Sequence, residues 1–544
     1  MSRIEIMPLG GAGEIGRNCT LLRQGDDAIL IDCGISFPDE EMHGVDVVIP
    51  DFSCLHDIKE NLRAVILTHA HEDHVGALSF FLRDFPQIPV FATELTHAMI
   101  RSKLEERLDI KGLKLNVVQH GQIIPIGALK FEMVRITHSI PDCSCVAIHT
   151  SEGVVLFTGD FKLDFTPVDG KLSDLTRLTE LGKQGVLCLL SDSTNIDRPG
   201  FGPSESTASN GFRAAFANAE GRILITMFAS NIHRMQQAMD IAAETGRKVA
   251  VAGRRMNQTI DTCIKLGYLN PPKGVRIRLD MVGDYEPHQL VILTTGSQGE
   301  PLSALVQMSK GEYTRLKVNE GDTVIYSARP IPGNESAVWK TINRLYRLKA
   351  TVVFDAIPAV HVSGHAYLEE LKMMINLTRP FYLAPVHGEP RHQHHYCDMA
   401  LKMGHAPHRM FKLLDGHKLI IDETQAWTEE TSAGGEVWID NAGNIINPSV
   451  VRDRAELADE GIVVVKVVLG PGGFAPVELA AKGFAGSEKL LDNAAEAVDD
   501  ALLSIPKEAW REIQLVEEAV EGAAKIIFQR KAQMRPVVVP VVVM

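Results

Sequence analysis

Short apolar runs that end in a polar or charged residue and a loop fill the first 200 positions of the chain. They lie at 27–34, 63–71, 129–139, 153–160 and 185–194. Helical stretches, ALSFFLRDF (77–85) and ELTHAMIRSKLEERL (94–108), lie between them. Continuous apolar strands are usually buried on both faces of a sheet that helices cover. The pattern therefore predicts a layered α/β domain over 1–205.

From about residue 206 the alternation becomes more regularly β/α. The repeated form is a β-rich run followed by a turn, as in GRILITMFAS (221–230), LVILTTGSQGE (290–300) and DTVIYSARPIPG (322–333). This form indicates an open parallel sheet with binding loops at the carboxyl ends of its strands. We place this doubly wound unit at 206–346 and a return to the first domain at 347–423.

A polar stretch, TQAWTEETSAGGE (424–436), is typical of a linker. Beyond it, 437–544 is predicted to be a small α+β domain. Its expected strands are 436–440, 461–469 and 535–543. Its two expected helices are amphipathic, one with apolar positions from Leu490 to Leu502 and one from Trp510 to Ile527.

The composition favours a globular protein over a membrane-spanning or exported one. Hydrophobic residues make up 45% and charged residues 23%, which is ordinary for a globular protein in water. No apolar run reaches the ~18 residues of a membrane helix, and the N-terminus does not resemble an export signal. The eight cysteines form no CxxC pair, which favours reduced, buried thiols in the cytoplasm. Cys143 and Cys145 could bind a metal, but buried packing on one face of a strand is the favoured interpretation.

The net charge of −14 argues against a broadly basic nucleic-acid binder. An acidic enzyme that binds nucleic acid would need a locally basic groove, and Arg254, Arg255, Arg329 and Arg391 are candidates to line one.

The densest chemical signal is a six-residue run, His69-Ala-His71-Glu72-Asp73-His74, directly after a predicted strand. The spacing of His69 and His71 lets two imidazoles approach one ion, while Asp73 and His74 can turn toward a second. Imidazole and carboxylate together suit zinc, and also manganese or iron. A solvated loop with chance histidines is a poor alternative for so compact a cluster.

Other potential ligands follow apolar strands elsewhere: His138, Asp160 and His387. Each would ordinarily be a structural polar residue. Because a sheet brings its strand ends together, we expect all three to converge on the first cluster. Asp32, after another strand, fits better as a carboxylate that orients a metal-bound histidine.

These residues resemble the ordered signature of the metallo-β-lactamase fold. Asp192, His365 and His387 resemble the three added motifs of the β-CASP nucleases. Several phrases resemble bacterial ribonuclease J over essentially the whole chain: PLGGAGEIGRN (8–18), TGDFKLD (158–164), FASNIHR (228–234), TTGSQGE (294–300), HVSGHA (361–366) and RPVVVP (535–540).

The resemblance implies an αββα sandwich with an inserted β-CASP domain, and two metal ions, zinc or manganese. His69, His71 and His138 would hold one ion, Asp73, His74 and His387 the other, and Asp160 would bridge them. A hydroxide shared by the ions would attack phosphorus, and His365, tuned by Asp192, would serve the leaving 3′ oxygen. The residues expected to bind substrate phosphates are Ser230, Asn231, His233, His361, Val362, Ser363, Gly364 and His365.

The resemblance further implies a ribonuclease that trims single-stranded, 5′-monophosphorylated RNA from 5′ to 3′ and also cleaves internally, in RNA maturation and decay. It suggests a homodimer or homotetramer, RNA-decay partners and a structural calcium near Asp440 and the main chain around Asp46. The cluster His392, His394 and His395 is expected to be exposed or packed rather than ligating.

Three alternatives stay open. A small-molecule metallo-hydrolase would have no need of the ~140-residue insert, which favours a polymer substrate. A DNA-processing β-CASP nuclease is separated from a ribonuclease only by a contact to the 2′ hydroxyl, which sequence does not reveal. A scaffold without catalysis would be expected to lack metal ligands, and every expected ligand is present.

Overall fold

A computed structural model describes residues 3–39, 41–331 and 333–544. Contacts divide the chain into two compact units, one of Met1–Ser36 and Ile49–Glu436 and one of Phe37–Val48 and Val437–Met544. No helix within these described ranges has the length and apolar character needed to cross a membrane.

The first part of the chain alternates strands with short helices. Its strands are β1 (Ile4–Gly10), β2 (Cys19–Gln24), β3 (Asp27–Ile31), β4 (Val47–Pro50), β5 (Leu62–Ile66), β6 (Val90–Ala92), β7 (Leu115–Val117), β8 (Ile123–Ile126), β9 (Leu129–Arg135), β10 (Ser144–His149), β11 (Val154–Phe157) and β12 (Val186–Asp192). Its helices are α1 (Glu72–Val75), α2 (Leu78–Asp84), α3 (Glu94–Glu105) and α4 (Leu175–Gln184).

The inserted segment is regularly β/α. Its strands are β13 (Ile223–Thr226), β14 (Lys248–Ala252), β15 (Leu290–Thr294), β16 (Thr323–Tyr326) and β17 (Thr351–Val353). Its helices are α5 (Ala208–Ala217), α6 (Ile232–Glu244), α7 (Arg254–Leu266), α8 (Ala304–Lys310) and α9 (Glu335–Arg347). The strands pair in parallel in the order β14-β15-β13-β16-β17, which confirms the predicted open sheet.

The return segment contributes α10 (Leu368–Thr378), β18 (Tyr382–Val386), α11 (Pro390–Lys402), β19 (His417–Ile421) and β20 (Ala426–Glu430). With them the first part completes two sheets, ordered β20-β19-β1-β2-β3-β5-β6-β7 and β18-β12-β11-β10-β9-β8. Side chains of both sheets, such as Ile6 and Ile29 from one and Met133 and Val155 from the other, share one buried core. The expected sandwich of two sheets is therefore confirmed.

Two segments differ from their expectations. β17 lies in the range 347–423, expected to return to the first domain, but it pairs in parallel with β16 and therefore belongs to the inserted sheet. Residues 426–430 of the expected linker form β20, which pairs antiparallel with β19. The strand is mostly exposed and lies at the sheet edge, so its sequence needs no apolar alternation and looks like a linker.

The C-terminal unit contains β21 (Glu436–Ile439), β22 (Ile445–Ile446), α12 (Pro448–Glu460), β23 (Ile462–Gly470), β24 (Gly473–Phe474), β25 (Glu478–Lys482), α13 (Glu488–Ser504), α14 (Ile513–Ala532) and β26 (Val537–Val543). β23 pairs antiparallel with β25 and parallel with β26. One face of this sheet and the apolar faces of α13 and α14 form a separate core that includes Val465, Val498, Val520 and Phe528.

Candidate metal centre

The parallel pairing of β11, β12 and β18 brings the carboxyl ends of three strands to one edge. In register, Phe157 lies opposite Leu190, and Asp192 lies opposite Val386. Asp160 and His387 follow these strands, so the sheet itself places them near Asp192. The run from His69 to His74 leaves the carboxyl end of β5 in the facing sheet and forms the single turn α1.

The first group of potential ligands consists of His69, His71, His138 and Asp160. The Nδ1 atom of His71 lies 3.0 Å from Nε2 of His69 and 3.2 Å from Nε2 of His138. Both Nε2 atoms are 3.7 Å from Oδ2 of Asp160. Burial and the charges of neighbouring imidazoles hold the pKa of His69 well below its usual range, and burial does the same for the pKa of His138. Neutral imidazole is the form that binds a metal.

The second group consists of Asp73, His74, Asp160 and His387. Oδ1 of Asp160 lies 3.1 Å from Nε2 of His74 and 2.8 Å from Nδ1 of His387. Oδ2 of Asp73 lies 3.6 Å from Nε2 of His74 and 3.4 Å from Nε2 of His387. Asp160 thus belongs to both groups, with one carboxylate oxygen facing each.

The arrangement fits metal ions better than direct hydrogen bonding. Oδ1 of Asp160 and Nδ1 of His387 lie 2.8 Å apart but are not aligned for a hydrogen bond, and neither they nor Nε2 of His387 have another hydrogen-bond partner among the described residues. Two ligand atoms at ordinary zinc distances in a tetrahedral shell lie about 3.4 Å apart, which is close to the spacings in both groups. Buried polar atoms left unpaired would be costly, so coordination gives these atoms their missing partners.

A further layer of contacts fixes the ligands. Oδ2 of Asp32 lies 2.7 Å from Nδ1 of His74, and Thr68 donates to Asp32 through its backbone N–H at 2.7 Å and its hydroxyl at 2.8 Å. Nδ1 of His138 lies 2.7 Å from the carbonyl oxygen of Gly364. Such contacts set which ring nitrogen faces the ion.

Near the ligands, the backbone adopts rare conformations and makes close contacts with the ligand side chains. Asp32 and His387 have φ values of 61° and 49°, a region that residues other than glycine rarely adopt. A side chain at Gly364 would place its Cβ 2.7 Å from Cε1 of His138, so glycine is required there. Backbone strain of this kind persists only where the surroundings impose it, and it clusters at functional sites.

A third group overlaps the second and adds the expected proton donor. Nδ1 of His365 lies 2.8 Å from Oδ2 of Asp192, and its Nε2 lies 3.9 Å from Oδ2 of Asp160. Against burial, the carboxylates of Asp192 and Asp160 raise the pKa of His365. The geometry leaves Nε2 as the nitrogen nearest the metal ligands.

The residues expected to bind phosphate lie on two segments. Ser230 and Asn231 precede α6, with Asn231 as its N-cap residue, and His233 is buried in its first turn. In the second segment, 361–365, Oγ of Ser363 accepts from Nδ2 of Asn195 at 2.8 Å, and Val362 is buried. Nδ1 of His361 lies 2.8 Å from Nη1 of Arg234.

The arginines and histidines predicted near the site differ in exposure and in ion pairing. Arg254 lines a cavity of about 1650 Å³ in the inserted segment. The next residue, Arg255, is exposed. Arg329 pairs with Asp355, while Arg391 pairs with Glu389 and Asp197. Of the histidines after Arg391, His392 is buried and His394 and His395 are exposed.

Outside the first unit, the expected calcium ligand lies in a turn. Both carboxylate oxygens of Asp440 accept hydrogen bonds from within 440–444, including the backbone N–H of Ala442 and the side chain of Asn444. The calcium stays a prediction. Cys143 and Cys145 are buried and free, in agreement with packing rather than coordination.

Sequence reasoning missed Thr68 and Asn18. The Asn18 amide donates to the backbone oxygen of Asp73 at 3.2 Å and lies 3.1 Å from Nε2 of His74. The glycine-rich phrase around Asn18 carries only the resemblance to the family. An asparagine or threonine carries no metal-ligand signal of its own, so proximity alone reveals both residues.

Four family models together match most of the chain. They are the metallo-beta-lactamase superfamily over 12–204, the ribonuclease J beta-CASP domain over 220–345, the Zn-dependent metallo-hydrolase RNA specificity domain over 351–410 and the ribonuclease J C-terminal domain over 449–544.

Two curated relatives match over nearly their whole length. The chain is 38% identical to ribonuclease J of Thermus thermophilus, covering 99% of this chain and 95% of the relative. It is 36% identical to ribonuclease J2 of Bacillus subtilis, covering 99% and 98%. A crystal structure of a protein of unknown function from Enterococcus faecalis aligns with a TM-score of 0.53 at 17% identity, over 77% of this chain and 100% of that one. This last similarity concerns the fold alone.

Proposed function

The chain belongs to the ribonuclease J family and is a metal-dependent ribonuclease, and from that premise we propose that it degrades 5′-monophosphorylated RNA from the 5′ end and also cleaves internally. The observation that carries the proposal is the pair of ligand groups that share Asp160, beside a histidine held by a separate carboxylate. A shared carboxylate of this kind suits a two-metal phosphodiesterase.

The residues fit two divalent ions, zinc or manganese. His69, His71 and His138 would hold one ion and Asp73, His74 and His387 the other, with Asp160 between them. When bound, such ions supply a nucleophile at neutral pH and neutralise charge on the phosphate.

The protein's own side chains would orient the substrate and protonate the leaving group. Asp192 accepts from Nδ1 of His365, which fixes the ring and leaves Nε2 to give a proton to the leaving 3′ oxygen. Ser230, Asn231, His233 and residues 361–364 would bind the substrate phosphates through hydroxyl, amide and imidazole donors. The products would be a 3′ hydroxyl and a 5′ phosphate.

The test is cleavage of a 5′-monophosphorylated RNA and its DNA counterpart, each labelled at the 5′ end, with manganese or zinc. We expect release of labelled mononucleotide from RNA. His71→Ala should abolish it, while His288→Ala, an exposed histidine outside the cluster, should not. His365→Ala should lower kcat by about 10²- to 10⁴-fold and retain the metal.

Other outcomes would overturn the proposal in distinct ways. Equal attack on DNA would indicate a DNA-processing nuclease. Metal content without cleavage of either polymer would indicate a small-molecule hydrolase or a scaffold.

We further propose that the enzyme works in the cytoplasm as a homodimer or homotetramer, with RNA-decay partners. The eight cysteines are free and almost all buried, which suits a reducing compartment. Light scattering at the concentrations used for the cleavage assay would give the oligomeric state.

A further inference from the structure

Every residue of the segment 361–365, hereafter the phosphate loop, is tied to a charged or ligating group elsewhere in the first unit. Arg234 contacts His361 and the carbonyl oxygen of Val362, and Lys162 donates to the carbonyl oxygen of Ser363 at 3.1 Å. His138 bonds the carbonyl oxygen of Gly364, and Asp192 holds His365. The loop's position is therefore imposed from outside rather than by its own turn.

Arg234 makes the largest share of these contacts. Its side chain is fully buried, and it donates from Nε and Nη2 to the two carboxylate oxygens of Glu205, both at 2.9 Å. Nη1 donates to the carbonyl oxygen of Ser327 at 2.9 Å, and Nη2 reaches the carbonyl oxygen of Val362 at 3.3 Å. The guanidinium of Arg234 thus connects the inserted sheet, the segment before α5 and the phosphate loop.

The contact with His361 fixes the proton on that ring. A guanidinium only donates, so Nδ1 of His361, 2.8 Å from Nη1 of Arg234, must accept. The ring is then neutral with its proton on Nε2. Burial and the charge of Arg234 hold the pKa of His361 well below its usual range, in agreement with a neutral ring.

We propose that Arg234 is a positioning residue for substrate specificity: it holds the phosphate loop in place and presents His361 as an Nε2–H donor to the 5′ phosphate of RNA. The inference rests on the proposed function, because it assigns a phosphate to this loop. It deepens that function by placing control of 5′-end selection on a buried arginine that does not itself touch RNA.

Arg234→Lys is the sharpest test. Lysine keeps the positive charge that Glu205 requires, but a single ammonium cannot make the bidentate pair and also reach Ser327, His361 and Val362. The matched control is Arg222→Lys. Arg222 is also a buried arginine of the insert, paired with Asp322 at 2.5 Å, but it precedes β13 at the opposite end of the strands from the phosphate loop.

The measurement is kcat and KM on two RNAs that differ only in carrying a 5′ monophosphate or a 5′ hydroxyl, using the metal-loaded enzyme. We expect Arg234→Lys to lower the preference for the monophosphate by about 10- to 100-fold, the size of a lost hydrogen bond to a charged group. The change should lie mainly in KM for the monophosphate, and the metal content should remain that of the wild type. Arg222→Lys should retain the preference.

Three results would overturn the inference. One is an unchanged preference in folded Arg234→Lys. Another is an equal fall of kcat on both RNAs, which would make Arg234 a purely structural residue. The third is a wild-type enzyme without any preference for the monophosphate, which would overturn the proposed function as well.

If Arg234→Lys does not fold, the same measurement is made on the double variant Glu205→Gln/Arg234→Gln. This variant removes both charges of the buried pair, and Lys162, which also faces Glu205, keeps the carboxylates of Asp164 and Glu370. The glutamine at 234 lacks the reach of the guanidinium, so the same loss of preference is expected, and its absence would overturn the inference.

Discussion

At the scale of single residues, histidines of the centre divide their two ring nitrogens between two tasks. In His74, Nδ1 is held by Asp32 while Nε2 faces Asp160, and in His138, Nδ1 is held by the carbonyl of Gly364 while Nε2 faces His71. The held nitrogen fixes the tautomer, so the other nitrogen would present its lone pair to a bound ion. Asp32 therefore matters although it lies outside both ligand groups.

Asp32→Asn tests this role. The amide keeps the size of the carboxylate but loses its charge, so His74 becomes a weaker and less well oriented ligand. We expect metal affinity to fall about 10- to 100-fold. Competition with a chromogenic chelator measures the affinity, with the exposed Asp57→Asn as control. Unchanged affinity in Asp32→Asn would contradict the assignment.

At the scale of elements, apolar periodicity found the buried helices and missed the exposed ones. The apolar positions of α13 and α14 predicted both helices because their faces pack in the C-terminal core. α12 was not predicted, since only Val451 is buried along it. Its start does carry a local signal, an Asn447 cap followed by Pro448.

Phe528→Ala tests the contribution of α14 to the C-terminal core. Phe528 is fully buried there, and removing such a ring costs about 3–5 kcal/mol of unfolding free energy. Ile526→Ala on the same helix removes a half-exposed side chain and should cost under about 0.5 kcal/mol. Chemical denaturation compares them, followed by the fluorescence of Trp510 in the same core, with the other three tryptophans replaced by phenylalanine. Equal costs would show that α14 does not pack as described.

At the scale of the whole molecule, the centre joins the two sheets of the first unit. The ligands from His69 to His74 follow β5 of one sheet, while Asp160 and His387 follow strands of the other. Ions that bind only the folded arrangement stabilise it by mass action, by about 2.7 kcal/mol at a hundred times their dissociation constant. The fold and the metals should therefore depend on each other.

Chelation should accordingly lower the temperature at which the first unit unfolds. Differential scanning calorimetry with EDTA, followed by addition of zinc or manganese, would measure the loss and its recovery. Before chelation, the unfolding temperature of His71→Ala should already be closer to that of the chelated wild type. Adding EDTA or metal should change it less. An unfolding temperature that is independent of metal would contradict a site that ties the two sheets together.

The local sequence pattern alone determined most of the strands and the presence of a metal centre. Apolar runs revealed the strands, and the dense run from His69 to His74 revealed a metal centre, because strand burial and ligand chemistry are properties of short segments. Which isolated residues complete that centre was an expectation from strand ends and resemblance. Only the tertiary structure decided that Asp160 faces both groups, that Asn18 and Thr68 donate to Asp73 and Asp32, and that Arg234 holds His361. Those contacts join residues far apart in the chain, and distance in space is not encoded in any local period.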